Sequence, residues 1–166
     1  MKLLIALICF IILCTACLST SEQQKTEKDN IAVIEKYIHA VQTKDTQTMS
    51  DLLADNYVGY GPSFSDSTDK EQAIASWKDL AENLYDKIEY TRTVNIAAKV
   101  TDGPHPGNFV SDWASLKITY KDGRGPVHLN MNAIYRIENG KITLSRTFYN
   151  EADVLAQLGY DCFPPE

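Results

Sequence analysis

From Ile31 onward the spacing of apolar residues changes along the chain, and each change marks an element. Ile31, Ile34, Tyr37, Ile38 and Val41 recur at helical spacing until Lys44-Asp45-Thr46 interrupts them. Met49, Leu52 and Leu53 predict a short second helix. Thr68 with Glu71 three residues on has the form of a capping box. It predicts a third helix carrying Ile74, Trp77, Leu80, Ala81 and Leu84. Between these helices lies Asn56–Phe64, "NYVGYGPSF", read as a short strand and a turn. Strand alternation there puts Tyr57 and Tyr60 on opposite sides.

The period then shortens to two. Ile88, Tyr90, Arg92, Val94, Ile96, Ala98 and Val100 predict one strand face. Val110, Asp112, Ala114, Leu116, Ile118 and Tyr120 predict a second, and Val127, Leu129, Met131, Ala133, Tyr135 and Ile137 a third. "VTDGPHPGN" and "KDGRG" are turn-rich connectors, and Asn139-Gly140 is a hairpin signal before a last strand, Lys141–Tyr149. Glu151–Leu158 predicts a closing helix with Gly159 as its C-cap. Helices segregated to one side of a long antiparallel sheet make an α+β domain, whose curled sheet can leave an interior pocket. Closing "KDGRG" on positions 120 and 127 sets Asp112 across from Tyr135. Closing Asn139-Gly140 sets Arg146 near Ala133. On this register Asp112, Tyr135, Arg146 and Arg92 all face inward, and a one-residue slip turns any of them outward.

The N-terminus has no such pattern. After Lys2 the chain is apolar from Leu3 to Leu13, too short to span a bilayer and of signal-peptide form. "CTAC" resembles the bacterial lipobox, which implies cleavage after Ala16 and lipidation of Cys17, although Cys14 stands where that pattern prefers Leu. The expected organisation is a signal peptide over 1–16, a lipidated polar tether over 17–29, a domain over 30–160 and a tail over 161–166. An uncleaved membrane anchor is the alternative. Removing residues 1–16 takes one lysine from 16 basic residues and none of the 22 acids, so the net charge goes from −6 to −7. That acidic balance, without a basic stripe, excludes nucleic acid as an expected partner. Cys162 is the thiol left after cleavage and lipidation, so no intramolecular disulfide is expected. His39, His105 and His128 show no metal-ligand spacing, and neither metal nor cofactor is expected.

Three stretches together resemble a known superfamily. "YIHAVQTKDTQTMSDLLADNYV" (37–58) looks like the helix-turn-helix opening of nuclear-transport-factor-2-like proteins, "IYRIENGKI" (134–142) like their last hairpin, and "LAQLG" (155–159) like the tail of the SnoaL-like branch. The resemblance implies a cone of curved antiparallel sheet wrapped around three N-terminal helices, a deep pocket, and often a homodimer through the sheet. Its enzymes, ketosteroid isomerases among them, transfer protons with a carboxylate base and hydroxyl or acid donors. Tyr37 matches the family's first-helix tyrosine; a pocket hydroxyl and a core aromatic are equally open readings. The base position falls on Gly61, the second acid on Asn132 or Ala133, and the aspartate before the last helix on Asn150, which can still cap that helix.

The substitutions at those acid positions favour binding over catalysis. The leading expectation is an envelope lipoprotein that holds a small, mostly apolar ligand, with Tyr57, Tyr60, Trp77, Arg92, Tyr135 and Arg146 around it. A second is an isomerase, dehydratase or cyclase using Asp112 as acid/base and Tyr37 as donor. Against it, Asp112 also reads as a partnered structural carboxylate. A third is a scaffold assembling through an outer sheet face that carries Trp113 and His128.

Overall fold

The computed structural model describes residues 2–161, with side chains from 21 to 161. The expectations for Cys9, Cys14, Cys17 and Cys162 concern side chains outside that range. Helix α1 runs Lys2–Thr43. The polar stretch read as a tether is therefore helical, because Glu, Gln and Lys are good helix formers even without an apolar face. Gln23 Nε2 donates to Glu27 Oε1 at 3.0 Å, and Thr26 Oγ1 to the Glu22 carbonyl at 3.0 Å. Burial starts at Asn30 and continues through Ile34, Tyr37, Ile38, Ala40 and Val41. Side-chain burial along α1 thus begins where the apolar period begins.

Lys44 takes the left-handed conformation (φ 57°) and reverses the chain. Asp45 then caps α2 (Thr46–Leu52), its side chain accepting from the Thr48 N–H. Strand β1 (Leu53–Tyr60) follows, then β2 (Ser67–Asp69), a short strand where the sequence suggested only a turn. The capping box of α3 (Lys70–Asp79) is Asp69 with Gln72, one residue beyond the expected Thr68, because Thr68 is engaged in β2. A π-helical turn, Leu80–Leu84, leads into β3 (Tyr85–Val100). Strands β4 (Gly107–Tyr120), β5 (Val127–Glu138) and β6 (Lys141–Tyr149) and helix α4 (Glu151–Gln157) complete the chain. Asn150 caps α4 as anticipated, and Gly159 (φ 82°) closes it with paired bonds from Gly159 and Tyr160 to Ala156 and Leu155.

The strands form one curved six-stranded sheet in the order β2-β1-β6-β5-β4-β3. Every pairing is antiparallel except β1 with β6, which is parallel. The expected face of β4 is confirmed: Val110, Asp112, Ala114, Leu116, Ile118 and Tyr120 are all buried. Two pairings differ from the expected register. Ile118 rather than Tyr120 pairs with Val127, so Asp112 lies across from Ala133 and Val110 across from Tyr135. This two-residue offset keeps every side chain on its expected face.

The second difference flips faces. Beyond a first irregularity at Tyr85–Lys87, an extra residue interrupts the β3–β4 ladder between Tyr90 and Arg92, and another the β5–β6 ladder between Ile142 and Leu144. In each case the extra residue is a threonine whose hydroxyl donates to a carbonyl of the partner strand. Thr91 Oγ1 reaches Ser115 O at 2.9 Å, and Thr143 Oγ1 reaches Arg136 O at 3.4 Å. Beyond each bulge the alternation inverts. Arg92, Val94 and Ile96 turn outward, and Arg146 is exposed.

Asn139 (φ 51°) and Gly140 (φ 72°) form the β5–β6 turn between Glu138 and Lys141. A Cβ at Gly140 would meet nothing within 4 Å, so only the backbone conformation resists a side chain there. Gly140→Ala is expected to cost about 1–2 kcal/mol. Urea unfolding should show a lower midpoint at unchanged m-value.

Candidate ligand-binding cavity

A cavity of about 380 Å³ lies between α1, α3 and the concave side of the sheet. Apolar groups from β3, β4 and β5 build its wall, among them Ile88, Leu116, Ile118, Leu129 and Met131. Helix α3 supplies Ala73 and Trp77. Tyrosines come from four directions: Tyr37 from α1, Tyr57 and Tyr60 from β1, Tyr85 and Tyr90 from β3, and Tyr135 from β5. The expected site residues Tyr37, Tyr57, Tyr60, Trp77 and Tyr135 are thus brought together around one space.

Tyr57 points inward, and its hydroxyl is 2.6 Å from Ser145 Oγ. A Cβ on Gly59, two residues along the same strand face, would come within 2.5 Å of that hydroxyl. Glycine at 59 is what lets Tyr57 lie along its own strand. Tyr60 takes the other side of β1 at the rim, where Arg146 stacks over its ring at 4.5 Å. Tyr37 and Tyr135 meet edge to face, with centroids 6.1 Å apart.

The phenols of Tyr37, Tyr57, Tyr85, Tyr90 and Tyr135 remain protonated. Burial raises Tyr37 well above the ordinary tyrosine range; Tyr57 and Tyr90 add to that, and a hydrogen bond with Trp77 opposes it. Burial likewise raises Tyr90, with the Asp112 charge second. Burial, then Tyr90, Tyr37, Asp112 and Tyr57, raises Tyr135. Tyr85 is pushed up to about 12, by burial first and Tyr120 next. The cavity therefore presents neutral hydroxyls that can donate to a ligand at any physiological pH.

Asp112 does not fit the expected role. It is 0% exposed, and neither carboxylate oxygen has a hydrogen-bond partner. It is absent from the cavity lining and stands behind Tyr90 and Tyr135, whose hydroxyls its charge perturbs. The expected arginine partners are excluded by the bulges, since Arg92 and Arg146 face outward. Its cross-strand neighbour, Asn95, has a buried and equally unpartnered Oδ1. Burial alone pushes the Asp112 carboxyl up to about 6.

The feature missed in the sequence is at Gly61. That position carries no side chain, yet a Cβ placed there would collide with the Asp66 carboxylate. Asp66 is brought back over Gly61 by the β1–β2 loop, whose backbone bonds run from Gly61 N to Asp66 O (3.3 Å) and from Asp66 N to Ser63 O (3.1 Å). Among the described residues, Asp66 is the one charged side chain lining the cavity. Pro62 and Ser63 advertise the loop, but nothing in the spacing of 61 and 66 says that the carboxylate returns.

The outer face of the sheet has a different character. Trp113 is 61% exposed there, beside Val94 (43%) and Ile96 (53%), and Arg92 lies among them. His128 is at the other end of β5, its backbone tied to the Gln157 side chain of α4.

A carboxyl raised from 3.8 to about 6 binds more protons folded than unfolded across that interval, so its contribution to stability falls as pH rises. Asp112→Asn should therefore stabilise the fold above pH 6, by up to about 3 kcal/mol, and have little effect at pH 4. Denaturant unfolding at the two pH values reads the difference.

Several solved structures share this fold. An epoxide hydrolase of M. tuberculosis, described as LEH-like, is 16% identical over 80% of this chain and 91% of its own, with a TM-score of 0.61. A ketosteroid-isomerase-like protein of Catenulispora acidiphila, solved with trimethylamine, is 18% identical over 80% of this chain and 97% of its own, with a TM-score of 0.61. A proposed polyketide cyclase of Xanthomonas campestris is 15% identical over 80% of this chain and 98% of its own, with a TM-score of 0.64. Comparison with curated proteins gives no match. The SnoaL-like domain family matches residues 34–145, from the first buried turn of α1 to Ser145 on β6, and the chain belongs to that family.

Proposed function

We propose that this is a cell-envelope protein, held at a membrane by lipid on Cys17, whose cavity binds a small, mostly apolar ligand. The lining carries the reading. Leu, Ile, Met, Tyr and Trp side chains surround about 380 Å³, with hydroxyls as the polar handles and a single carboxylate near the rim. That composition suits a compact apolar body with a few directed hydrogen bonds. The anchor rests on the sequence: Lys2, an apolar run to Leu13, and Cys17 after Thr15-Ala16.

Binding is preferred to proton transfer through Asp112. A group that acts on a ligand must come within hydrogen-bond reach of it. The Asp112 oxygens are buried, and Asp112 is not among the residues that line the cavity.

Mass spectrometry of the purified protein should find a bound apolar compound, absent from the Ala73→Trp variant. Ala73 lines the cavity on α3, so an indole there fills the space without altering the helix. An unfolded variant would show by circular dichroism; a folded variant that retains the compound refutes the reading. Separately, Cys17→Ser should abolish incorporation of labelled palmitate and release the protein from membranes. Labelling that persists in that variant rules out lipid on Cys17.

A further inference from the structure

We propose that the ligand carries an ammonium group, and that the Asp66 carboxylate, seated over Gly61 at the rim of the aromatic cavity, is its counter-ion. The inference deepens the cavity-binding reading and rests on it.

Among the described residues no lysine, arginine or histidine lines the cavity, while Asp66 does. Asp66 is spoken for by no ion pair or side-chain hydrogen bond among the described residues, so its charge is available. Its carboxylate occupies the space that a side chain on Gly61 would need, and the loop backbone bonds hold the segment in that place. The cations close to the cavity are engaged elsewhere. Lys44 Nζ donates to the Tyr85 and Asp86 carbonyls, and Arg146 stacks on Tyr60 from the exposed side. Behind the floor, Asp112 adds a second carboxylate with no partner.

The rest of the wall agrees with that charge. Tyr37, Tyr57, Tyr60, Tyr90, Tyr135 and Trp77 offer aromatic surface, which attracts alkylated ammonium groups through the ring quadrupole. An anionic ligand would meet Asp66 at the rim and find no cation within. A neutral ligand would leave the carboxylate unused. A quaternary or tertiary ammonium satisfies both the apolar wall and the charge, because its methyl groups are apolar and its charge is spread over them.

Three isosteres separate the possibilities: choline (cation), 3,3-dimethylbutan-1-ol (neutral) and 3,3-dimethylbutanoate (anion). Each is titrated into the purified full chain by calorimetry, in wild type, Asp66→Asn and Gly61→Ala. Choline should bind about tenfold or more tightly than the neutral alcohol, and the anion least. Asp66→Asn should remove most of that preference. Gly61→Ala, which pushes the carboxylate aside without changing charge, should lower it too. Equal affinity for the cation and the alcohol, an unchanged preference in Asp66→Asn, or no binding of choline overturns the proposal. The cavity-binding reading is judged apart from these results, by the Ala73→Trp comparison.

Discussion

The two-residue period of the strands decides what the sheet presents to its interior, and two threonines interrupt that period. Thr91 and Thr143 each occupy an extra position and anchor it by a hydroxyl bond to the partner strand. Without those interruptions, Arg92 and Arg146 would continue the inward faces begun by Tyr90 and Ile142. Two guanidinium groups would then enter the concave side, near Asp112. With them, both arginines are delivered to solvent. The lack of positive charge in the cavity lining and the isolation of Asp112 both follow from where the strands add one residue.

That constraint also explains which parts of the sequence were readable. The apolar periods located α1 from Ile31 onward, the faces of β4 and β5, the Asn139-Gly140 turn and the Asn150 cap. Each depends on neighbours within a few residues. The face of β3 beyond Tyr90 and that of β6 beyond Ile142 were not readable. A bulge threonine has the same β-propensity as a ladder threonine, and only the pairing partner distinguishes them. The helicity of the polar stretch before Asn30 was not readable for the opposite reason. Helix propensity without periodicity gives a solvated helix, and a search for an apolar face passes over it.

The site was legible in its aromatics and illegible in its charge. Tyr37, Tyr57, Trp77 and Tyr135 sit on periodic positions, so the pattern alone sends them inward. Asp112 was identified as buried from the same pattern, and it is. Its partners were not, because they depended on register across two ladders. Burying a carboxylate without a donor is costly, and the fold relieves part of that cost by letting the group hold a proton up to about pH 6. Protonation also turns one of three neighbouring orphan acceptors, counting Asn95 Oδ1, into a donor.

Gly61 shows how a position can lose its residue and keep its chemistry. Read along the chain, a glycine at the place of the family's base argues that no acid is present there. In space, the volume that a side chain at 61 would need is held by the carboxylate of Asp66. The two residues are coupled by sterics: any side chain at 61 evicts the acid, and the acid's fixed place depends on 61 having none. A carboxylate delivered from a loop differs from one rooted in the strand. It sits at the rim and is exposed to solvent. The acid at this position is thus present only because the chain has a glycine there, the residue that read in sequence as its absence.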